Sequence, residues 1–377
     1  DTTGALKSGR VGEDMKIGIV GLPFVGKTTI FNALTGAEAE TSTYAGGQAS
    51  NISSVQVPDP RLDALAEIFQ PESVMPTAIN YIDVAGVSKG DLERGGFEAG
   101  FIAELREVDA LAHVVRVFED TSVPHIDGAV DPARDIETLD LELALADLKI
   151  VEKRLERLER DLRVSKDADL EYQFKTLKQC EQALQAGIAI RELDLSEAAE
   201  KAIRGYQFLT RKPLFIILNV GENQSEPVAE IESQFEAYAQ KENTDLFTLS
   251  AQIEMEIAQL DPEEAKIFLT EMGLPESALN RFIQASYHLL GLITFLTVAG
   301  SNEIRAWTVQ NGTTAVEAAG TIHTDMARGF IRAETISWQE LVDLGGFTQA
   351  RDAGRLRLEG KDYIVQDGDV LTVRFNV

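Results

Sequence analysis

The sequence has almost no cysteine, no long hydrophobic run and far fewer basic than acidic residues. Cys180 is the single cysteine among 377 residues. One thiol excludes an internal disulfide and is typical of a reducing compartment, so we expect a cytoplasmic protein. Because no run of about eighteen apolar residues occurs, we expect no membrane span. Residues 1–14 lack the apolar core of a secretory signal, and we interpret them as a flexible leader or a cloning remnant.

Basic residues are outnumbered, with 35 Lys and Arg against 62 Asp and Glu and a net charge of -27. This charge repels phosphates and argues against a surface that grips DNA or other nucleic acid as a whole. A local basic patch is still compatible with it. The 44% hydrophobic content is ordinary for a globular protein, and the length suits about two or three domains.

A phosphate-binding motif, GLPFVGKTT, occupies residues 21–29 directly after the apolar stretch KIGIV, which we predict to be a strand. Its glycines let main-chain N–H groups surround a triphosphate, and a helix starting near Lys27 adds the positive end of its dipole. We expect Lys27 to contact the outer phosphates and the Thr28 hydroxyl to ligate Mg²⁺. The residues predicted to bind the nucleotide here are Pro23, Phe24, Val25, Gly26, Lys27, Thr28 and Thr29.

A second strand is predicted over residues 78–84, and it ends in the sequence DVAG. In this position D-x-x-G is the expected second element around Mg²⁺ and the γ-phosphate. Asp83 would lie near the metal, and the Gly86 N–H would face the γ-phosphate during catalysis. Ras-like enzymes place a water-orienting Gln after this motif, whereas Val87 cannot hydrogen-bond a water. Hydrolysis therefore needs another group or is slow.

Two further segments have an ambiguous pattern. The polar residues 38–54 include Thr43 and Ser50, either of which would suit a switch hydroxyl over the γ-phosphate, although an ordinary surface loop looks the same. His125 lies in a loop after a strand predicted over residues 111–117. A lone histidine is more often structural than catalytic.

Two consecutive apolar repeats with helical spacing predict an antiparallel helical hairpin. The first contains Leu141, Leu145, Leu148, Val151, Leu155, Leu158 and Leu162, and the second contains Leu170, Phe174, Leu177, Leu184 and Ile188. Lysines and arginines over residues 149–166 make this arm locally basic in an acidic protein. A solvated charged face is the simpler interpretation for any single one of them.

The next strand, predicted over residues 213–218, is followed by NVGE, residues 219–222. Guanine-specific relatives of such domains carry N-K-x-D. The Asp carboxylate of that motif accepts hydrogen bonds from the N1–H and the N2 amine of guanine, two donors that adenine lacks. Glu222 moves that carboxylate outward by a methylene, and Val220 replaces the Lys, so guanine selectivity is undermined. Asn219, Val220 and Glu222 are therefore predicted to frame the base. Ser250 and Ala251, after a strand over residues 246–249, are the usual base-side backbone contact.

The pattern changes near residue 289 to short alternating strands, predicted over residues 293–298, 304–309, 330–336 and 370–375. A helix is predicted over residues 316–326, and a second over residues 338–344. This predicts a small mixed sheet packed on a helix, as a separate domain.

Several stretches together resemble the YchF or Obg-like ATPase family of P-loop NTPases, and the resemblance covers residues 15–377. The stretches are GLPFVGKTT, PDPRL, DVAG, HVVRVFED, LELALADLKIVEKRLERLER, NVGE, RAWTVQNGTTAVEAAGTIHTDMARGFIRAE and LEGKDYIVQDGDVLTVRFNV. The resemblance implies an α/β fold: a Ras-like P-loop domain, an inserted antiparallel coiled-coil arm and a C-terminal TGS domain of ubiquitin-like β-grasp fold. The implied boundaries are residues 15–136 with 204–288, 137–203 and 289–377.

The resemblance also implies ATP preference through N-x-x-E and association with ribosomes, with rRNA contact through the arm and the TGS domain. The phenylalanine matching Phe118 lies near the base in the family, and the histidine matching His125 is proposed there to assist hydrolysis. A hydrophobic residue after D-x-x-G, here Val87, is likewise a family feature.

Three departures from the family pattern bear on activity. Phe24 replaces an Asn that can serve a potassium ion, which argues against potassium-stimulated hydrolysis. Ungapped counting puts Gly47 where the family's switch Thr stands, so that hydroxyl is missing or displaced to Thr43 or Ser50. The switch after D-x-x-G is also more acidic than in the family. Binding is thus better supported than turnover.

The sequence accordingly predicts a cytoplasmic, Mg²⁺-dependent ATP-hydrolysing switch that engages the translation machinery. Three alternatives stay open: a GTPase of the same class, a nucleotide-gated binding protein with negligible turnover, and a scaffold that acts without ribosomes.

Overall fold

The computed structural model describes residues 15–36, 51–84, 99–126, 128–222, 227–300 and 302–376. Within these residues the chain forms two compact units. One, the nucleotide unit, contains residues 16–53 and 81–279, and the other, the C-terminal unit, contains Met15, residues 54–80 and residues 280–377.

The strands and helices are numbered in chain order. The strands are β1 (Lys16–Val20), β2 (Asn51–Gln56), β3 (Ser73–Met75), β4 (Ala78–Asp83), β5 (Ala110–Arg116), β6 (Leu214–Asn219), β7 (Thr244–Leu249), β8 (Leu292–Val298), β9 (Glu303–Gln310), β10 (Phe330–Ser337), β11 (Arg357–Glu359) and β12 (Asp369–Phe375). The first helices are α1 (Lys27–Thr35), α2 (Pro60–Phe69), α3 (Ala99–Glu107), α4 (Pro132–Val164), α5 (Ala168–Gln185), α6 (Glu197–Ile203) and α7 (Val228–Gln234). The remaining helices are α8 (Glu236–Ala239), α9 (Ala251–Gln259), α10 (Pro262–Glu271), α11 (Ala278–Leu289), α12 (Ala315–Ile322), α13 (Thr324–Arg328), α14 (Trp338–Leu344) and α15 (Phe347–Asp352).

The first sheet has the strand order β2-β4-β1-β5-β6-β7. β1 pairs parallel with β5, β5 with β6, and β6 with β7. All seven residues of β5 and all six of β6 are buried, as expected for central parallel strands whose two faces are both covered. Parallel strands end at one edge of the sheet, and that edge is where ligands bind in open α/β sheets. The carboxyl ends of β1, β5, β6 and β7 therefore define the candidate site.

The predicted helical hairpin is present as α4 and α5. Asp131 caps α4 by accepting from the Arg134 N–H, and Pro132 occupies the first turn, where no N–H partner is needed. The two helices share an apolar cluster that includes Val151, Leu155, Leu158, Leu177, Cys180 and Leu184. The predicted seam was wrong at its start, because Leu141 and Leu145 are exposed. Leu139 and Leu143 are buried instead, in the apolar cluster of the first sheet.

The second sheet has the order β11-β10-β12-β8-β9-β3. β8 and β9 are antiparallel, β12 lies antiparallel to β10 and parallel to β8, and β3 pairs parallel with β9. This mixed sheet confirms the predicted strands of the C-terminal region. The helix predicted over residues 316–326 is instead two helices, since His323 adopts extended backbone and its side chain caps the second one.

Residues 54–80 group with the C-terminal sheet, whereas the sequence placed them with the nucleotide-binding residues. Leu62 and Leu65 of α2 lie in an apolar cluster with Leu296, Ile304 and Leu341. β2 and β3 were not predicted, and residues 51–54 of the supposed polar loop belong to β2. Short strands with few buried residues carry little periodic signal.

Candidate functional site

The loop between β1 and α1 takes a conformation that its two motif glycines permit. Gly21 has φ 151° and Gly26 has φ 100°, and both values favour residues without a Cβ. A Cβ on Gly26 would lie 2.3 Å from the Asn219 Nδ2. Phe24 also has positive φ, at 63°, and its ring is 62% exposed. The loop therefore holds a strained, exposed aromatic residue beside the predicted phosphate site.

Lys27 begins α1, as predicted, and its side chain is buried. Its Nζ donates to the carbonyls of Gly21 at 3.0 Å and Leu22 at 2.8 Å, so the ammonium is bonded to the main chain at the start of the loop. Burial lowers the pKa of Lys27 to about 8, while the charge of Asp83 acts in the opposite direction. A bound phosphate group would add further negative charge beside this buried ammonium.

The Thr28 hydroxyl donates to the Asp83 carboxylate at 3.1 Å, which joins the start of α1 to the end of β4. Burial raises the pKa of Asp83, while the Thr28 hydrogen bond and the Lys27 charge lower it. One hydroxyl and one carboxylate, both oxygen ligands, match a Mg²⁺ site that phosphate and water complete. Within the described residues, no group of three or more His, Cys, Asp and Glu is arranged to hold a metal by itself.

Asn219, at the end of β6, connects the phosphate loop with the segment after β7. Its Nδ2 donates to the Val25 carbonyl at 2.9 Å, and its Oδ1 accepts from the Ala251 N–H at 2.9 Å. Ser250 caps α9 by accepting from the Ile253 N–H. The structure thus joins Asn219 and Ala251 to the P-loop, and the base contact expected of these residues and of Ser250 stays a prediction.

The other predicted base-side residues lie in different environments. Glu222 is exposed, whereas the Val220 side chain is buried in the apolar cluster of the first sheet. Phe118 is partly buried, and a Cβ on Gly221 would lie 3.4 Å from the Phe118 Cβ. The phenylalanine therefore packs directly beside the NVGE segment. Glu222 is the residue of that segment with a side chain free to reach a ligand.

Sequence reasoning missed Arg116, the last residue of β5. It is 1% exposed and donates from its guanidinium to the carbonyls of Phe118, Asp120 and Val123. A charged residue at the end of a strand that is apolar except for His113 was the available signal, since such a group is buried only with partners.

His125 pairs with Asp135, at 2.9 Å between Nε2 and Oδ2, and both side chains are almost fully buried. Asp135 also accepts from Arg134. This places His125 in a hydrogen-bonded cluster at the first turn of α4, and its proposed part in hydrolysis stays a prediction. Gly86 and Val87, together with Thr43, Gly47 and Ser50, lie outside the described residues.

Family models match both ends of the chain. A model described as a 50S ribosome-binding GTPase matches residues 16–155. The YchF-GTPase C-terminal model, described as a protein of unknown function, matches residues 292–376. Among the described residues, no helix is long and apolar enough for a membrane crossing.

Curated relatives resemble the chain over nearly its whole length. The ribosome-binding ATPase YchF of Bacillus subtilis is 45% identical over 367 residues, which cover 96% of this chain and 99% of the relative. Its Haemophilus ducreyi counterpart is 46% identical over 363 residues, with 96% and 99% covered. The solved YchF GTPase of Schizosaccharomyces pombe has a TM-score of 0.82 at 30% identity, covering 97% of this chain and 99% of that one. By sequence and by fold, the chain belongs to the YchF family.

Proposed function

We propose that the chain is a Mg²⁺-dependent ATPase that works slowly as a molecular switch and associates with ribosomes. The observation that carries this proposal is the grouping of Lys27, Thr28 and Asp83 at one end of a site whose other end Asn219 holds. Several curated relatives carry the name ribosome-binding ATPase, which supports both the nucleotide and the ribosome.

In this proposal the chain's own residues bind and orient the triphosphate. The main-chain N–H groups of residues 24–29 surround the phosphates, Pro23 having none to offer, and Lys27 pairs with the outer ones. Thr28 and Asp83 hold Mg²⁺, which when bound neutralises charge that develops on the phosphates. The Gly86 N–H senses the γ-phosphate. No base for the attacking water is assigned among the described residues, and slow turnover is part of this proposal. His125, whose Nε2 bonds Asp135, stays the candidate that the family resemblance offers.

Base selection depends in this proposal on Asn219 and Glu222. Asn219 has both its amide atoms engaged, so it positions main chain and leaves the discrimination to Glu222. The exposed carboxylate of Glu222 stands where guanine-specific domains carry a shorter one, and this favours adenine. The Val220 side chain is turned into the core, which makes Glu222 the residue to test.

The test is equilibrium binding of fluorescent ATP and GTP analogues with Mg²⁺ to the wild type, to Glu222→Asp and to a control, Glu230→Asp. Glu230 is an exposed residue of α7 in the same unit. We expect the wild type to prefer ATP, Glu222→Asp to lose that preference, and the control to keep it. A wild type that prefers GTP would instead identify a GTPase of the same class.

Phe24 favours a second candidate function, a nucleotide-gated binding protein with negligible turnover. Its exposed ring at positive φ occupies the P-loop position where the family has an Asn. Single-turnover measurements separate the two candidates: phosphate release supports the ATPase, whereas tight binding without release supports the gated binder. Potassium is expected to have no effect on either result.

The proposed ribosome contact is made by the arm, α4 and α5, and by the C-terminal unit. A protein that binds ribosomes in this way acts in the cytoplasm. Exposed basic residues along the arm supply positive charge that attracts rRNA phosphates, although the chain as a whole is acidic. Co-sedimentation with ribosomes should weaken as salt rises, because phosphate contacts release counterions. If the protein does not co-sediment with ribosomes at any salt concentration, the alternative of a scaffold that acts without ribosomes is favoured.

A further inference from the structure

Arg116 is a buried cation whose described hydrogen bonds all go to main-chain carbonyls of the loop that follows it. Nε donates to the Phe118 carbonyl at 3.0 Å, Nη2 to Asp120 at 3.1 Å and Nη1 to Val123 at 3.1 Å. These three hydrogen bonds from one planar guanidinium fix the positions of three loop carbonyls relative to the end of β5. The conformation of residues 118–123 therefore depends on this side chain.

The same guanidinium lies over the ring of Phe118, with 4.5 Å from its central carbon to the ring centroid. The guanidinium therefore makes a cation–π contact with the Phe118 ring, and its Nε also donates to the Phe118 main-chain carbonyl. Lysine has no planar fork, so it cannot make both contacts and also bond two further carbonyls.

The loop is joined to the NVGE segment by main chain and by packing. Arg116 lies opposite Asn219 in the pairing of β5 with β6, and the Val117 N–H donates to the Asn219 carbonyl at 2.9 Å. Phe118 packs beside Gly221, where an added Cβ would come within 3.4 Å of the Phe118 Cβ. The phenylalanine consequently lies at the ligand-binding edge of the sheet, next to the residues that follow β6.

We propose that Arg116 is a positioning residue for the purine base: it holds the Phe118 ring as a wall of the base pocket beside residues 219–222. This inference rests on the proposed function, because it takes a purine nucleotide as the ligand. Arg116 does not touch the ligand, and it acts through Phe118.

The experiment compares ATP with ribose 5-triphosphate, which carries the same phosphates without the base. Dissociation constants for both are measured with Mg²⁺ on the wild type, Arg116→Lys, Phe118→Leu and the double variant. Arg211→Lys is the matched control, since Arg211 is a well-bonded arginine of the same unit that pairs with Glu200. The ratio of the two constants isolates the base, because general destabilisation weakens both ligands equally.

We expect Arg116→Lys to reduce the preference for ATP over ribose 5-triphosphate about tenfold, the order of a lost base–aromatic stacking contact. Phe118→Leu should reduce it by a similar factor. The double variant should lose no more than either single variant, because both changes remove one contact. Arg211→Lys should keep the wild-type ratio.

Two results would overturn the inference: an unchanged ratio in Arg116→Lys, or additive losses in the double variant. Failure of the proposed function looks different, since the wild type itself would then bind ATP no better than ribose 5-triphosphate. If Arg116→Lys lowers the melting temperature, the ratio still reports on the folded fraction that binds.

Discussion

The two ends of the candidate site are built in different ways. Among the described residues, the phosphate side of the candidate site consists of one continuous loop, residues 21–28, and of Asp83, which is distant in sequence. The base side is assembled from three separate segments, around Phe118, after β6 and after β7. Asn219 belongs to both, because one amide bonds Val25 of the first and Ala251 of the second.

This difference shows which parts of a site a local motif specifies. On the proposed phosphate side, the glycine backbone and a helix N-terminus would supply the binding groups, and both are recognised from neighbouring residues. On the base side, the orientation of each side chain depends on segments far away in sequence. Changes on the phosphate side should therefore affect every triphosphate, while changes on the base side should alter discrimination.

The largest effect is expected for Lys27→Ala. Its ammonium is the buried cation beside the loop carbonyls, and its loss should weaken ATP and ribose 5-triphosphate alike by about a hundredfold or more. Equilibrium titration of both ligands measures this. Lys149→Ala, an exposed arm residue, serves as the control. A loss confined to ATP would contradict the assignment of Lys27 to the phosphate side.

Gly26→Ala tests the contact between the two sides. Positive φ and a clash with the Asn219 amide should together cost about 2–4 kcal/mol of unfolding free energy. Gly36→Ala is the matched variant, since Gly36 also has positive φ, at 59°, but open space around it. It should cost about 1–2 kcal/mol. Denaturant unfolding measures both values, and equal costs would show that the clash relaxes freely.

Asn219→Ala removes the amide that both sides share. A buried carbonyl and a buried N–H lose their partner, so we expect about 2–4 kcal/mol of destabilisation and weaker binding of both ligands. Ser250→Ala, which removes one long capping bond nearby, should cost about 0.5–1 kcal/mol. If Asn219→Ala changed only the ATP preference, Asn219 would belong to the base side alone.

The smallest effect of the site variants is expected on the reactivity of Cys180, which lies in the apolar cluster of the arm. Burial raises the pKa of Cys180 to about 11 from the ordinary 9.0. Below pH 9 its thiolate fraction is then about a hundredfold lower than that of an exposed thiol. Reaction with a thiol reagent at pH 8 should be slow in the wild type and equally slow in Lys27→Ala and Arg116→Lys. Faster labelling in a site variant would show that the change spreads beyond the nucleotide site.

Much of the fold followed from residue patterns. The P-loop strand and helix, the helical hairpin and the C-terminal strands are confirmed because each has a strong period or a specific motif. The family resemblance is confirmed as well, over nearly the whole chain. β2 and β3 were missed because short strands with exposed residues have no clear period.

The site divides in the same way. Lys27, Thr28, Asp83 and Asn219 were named from motifs, and in the structure Thr28 bonds Asp83 while Asn219 bonds the phosphate loop at Val25. Glu222 and Phe118 were named without the packing that surrounds them, and their roles stay predictions. The inward orientation of Val220 and the pairing of His125 with Asp135 had no local signature, and for Arg116 the charge at the end of a buried strand was a signal that did not reveal its partners.

The local sequence suffices to predict the loop between β1 and α1, since its glycine spacing and the helix that follows are read from adjacent residues. What lies beside that loop depends on how distant segments pack. Strand pairing puts Arg116 opposite Asn219, although about a hundred residues, including the arm, separate them in the chain. A side chain's partner across a parallel sheet depends on register, and register is settled by how the whole core packs.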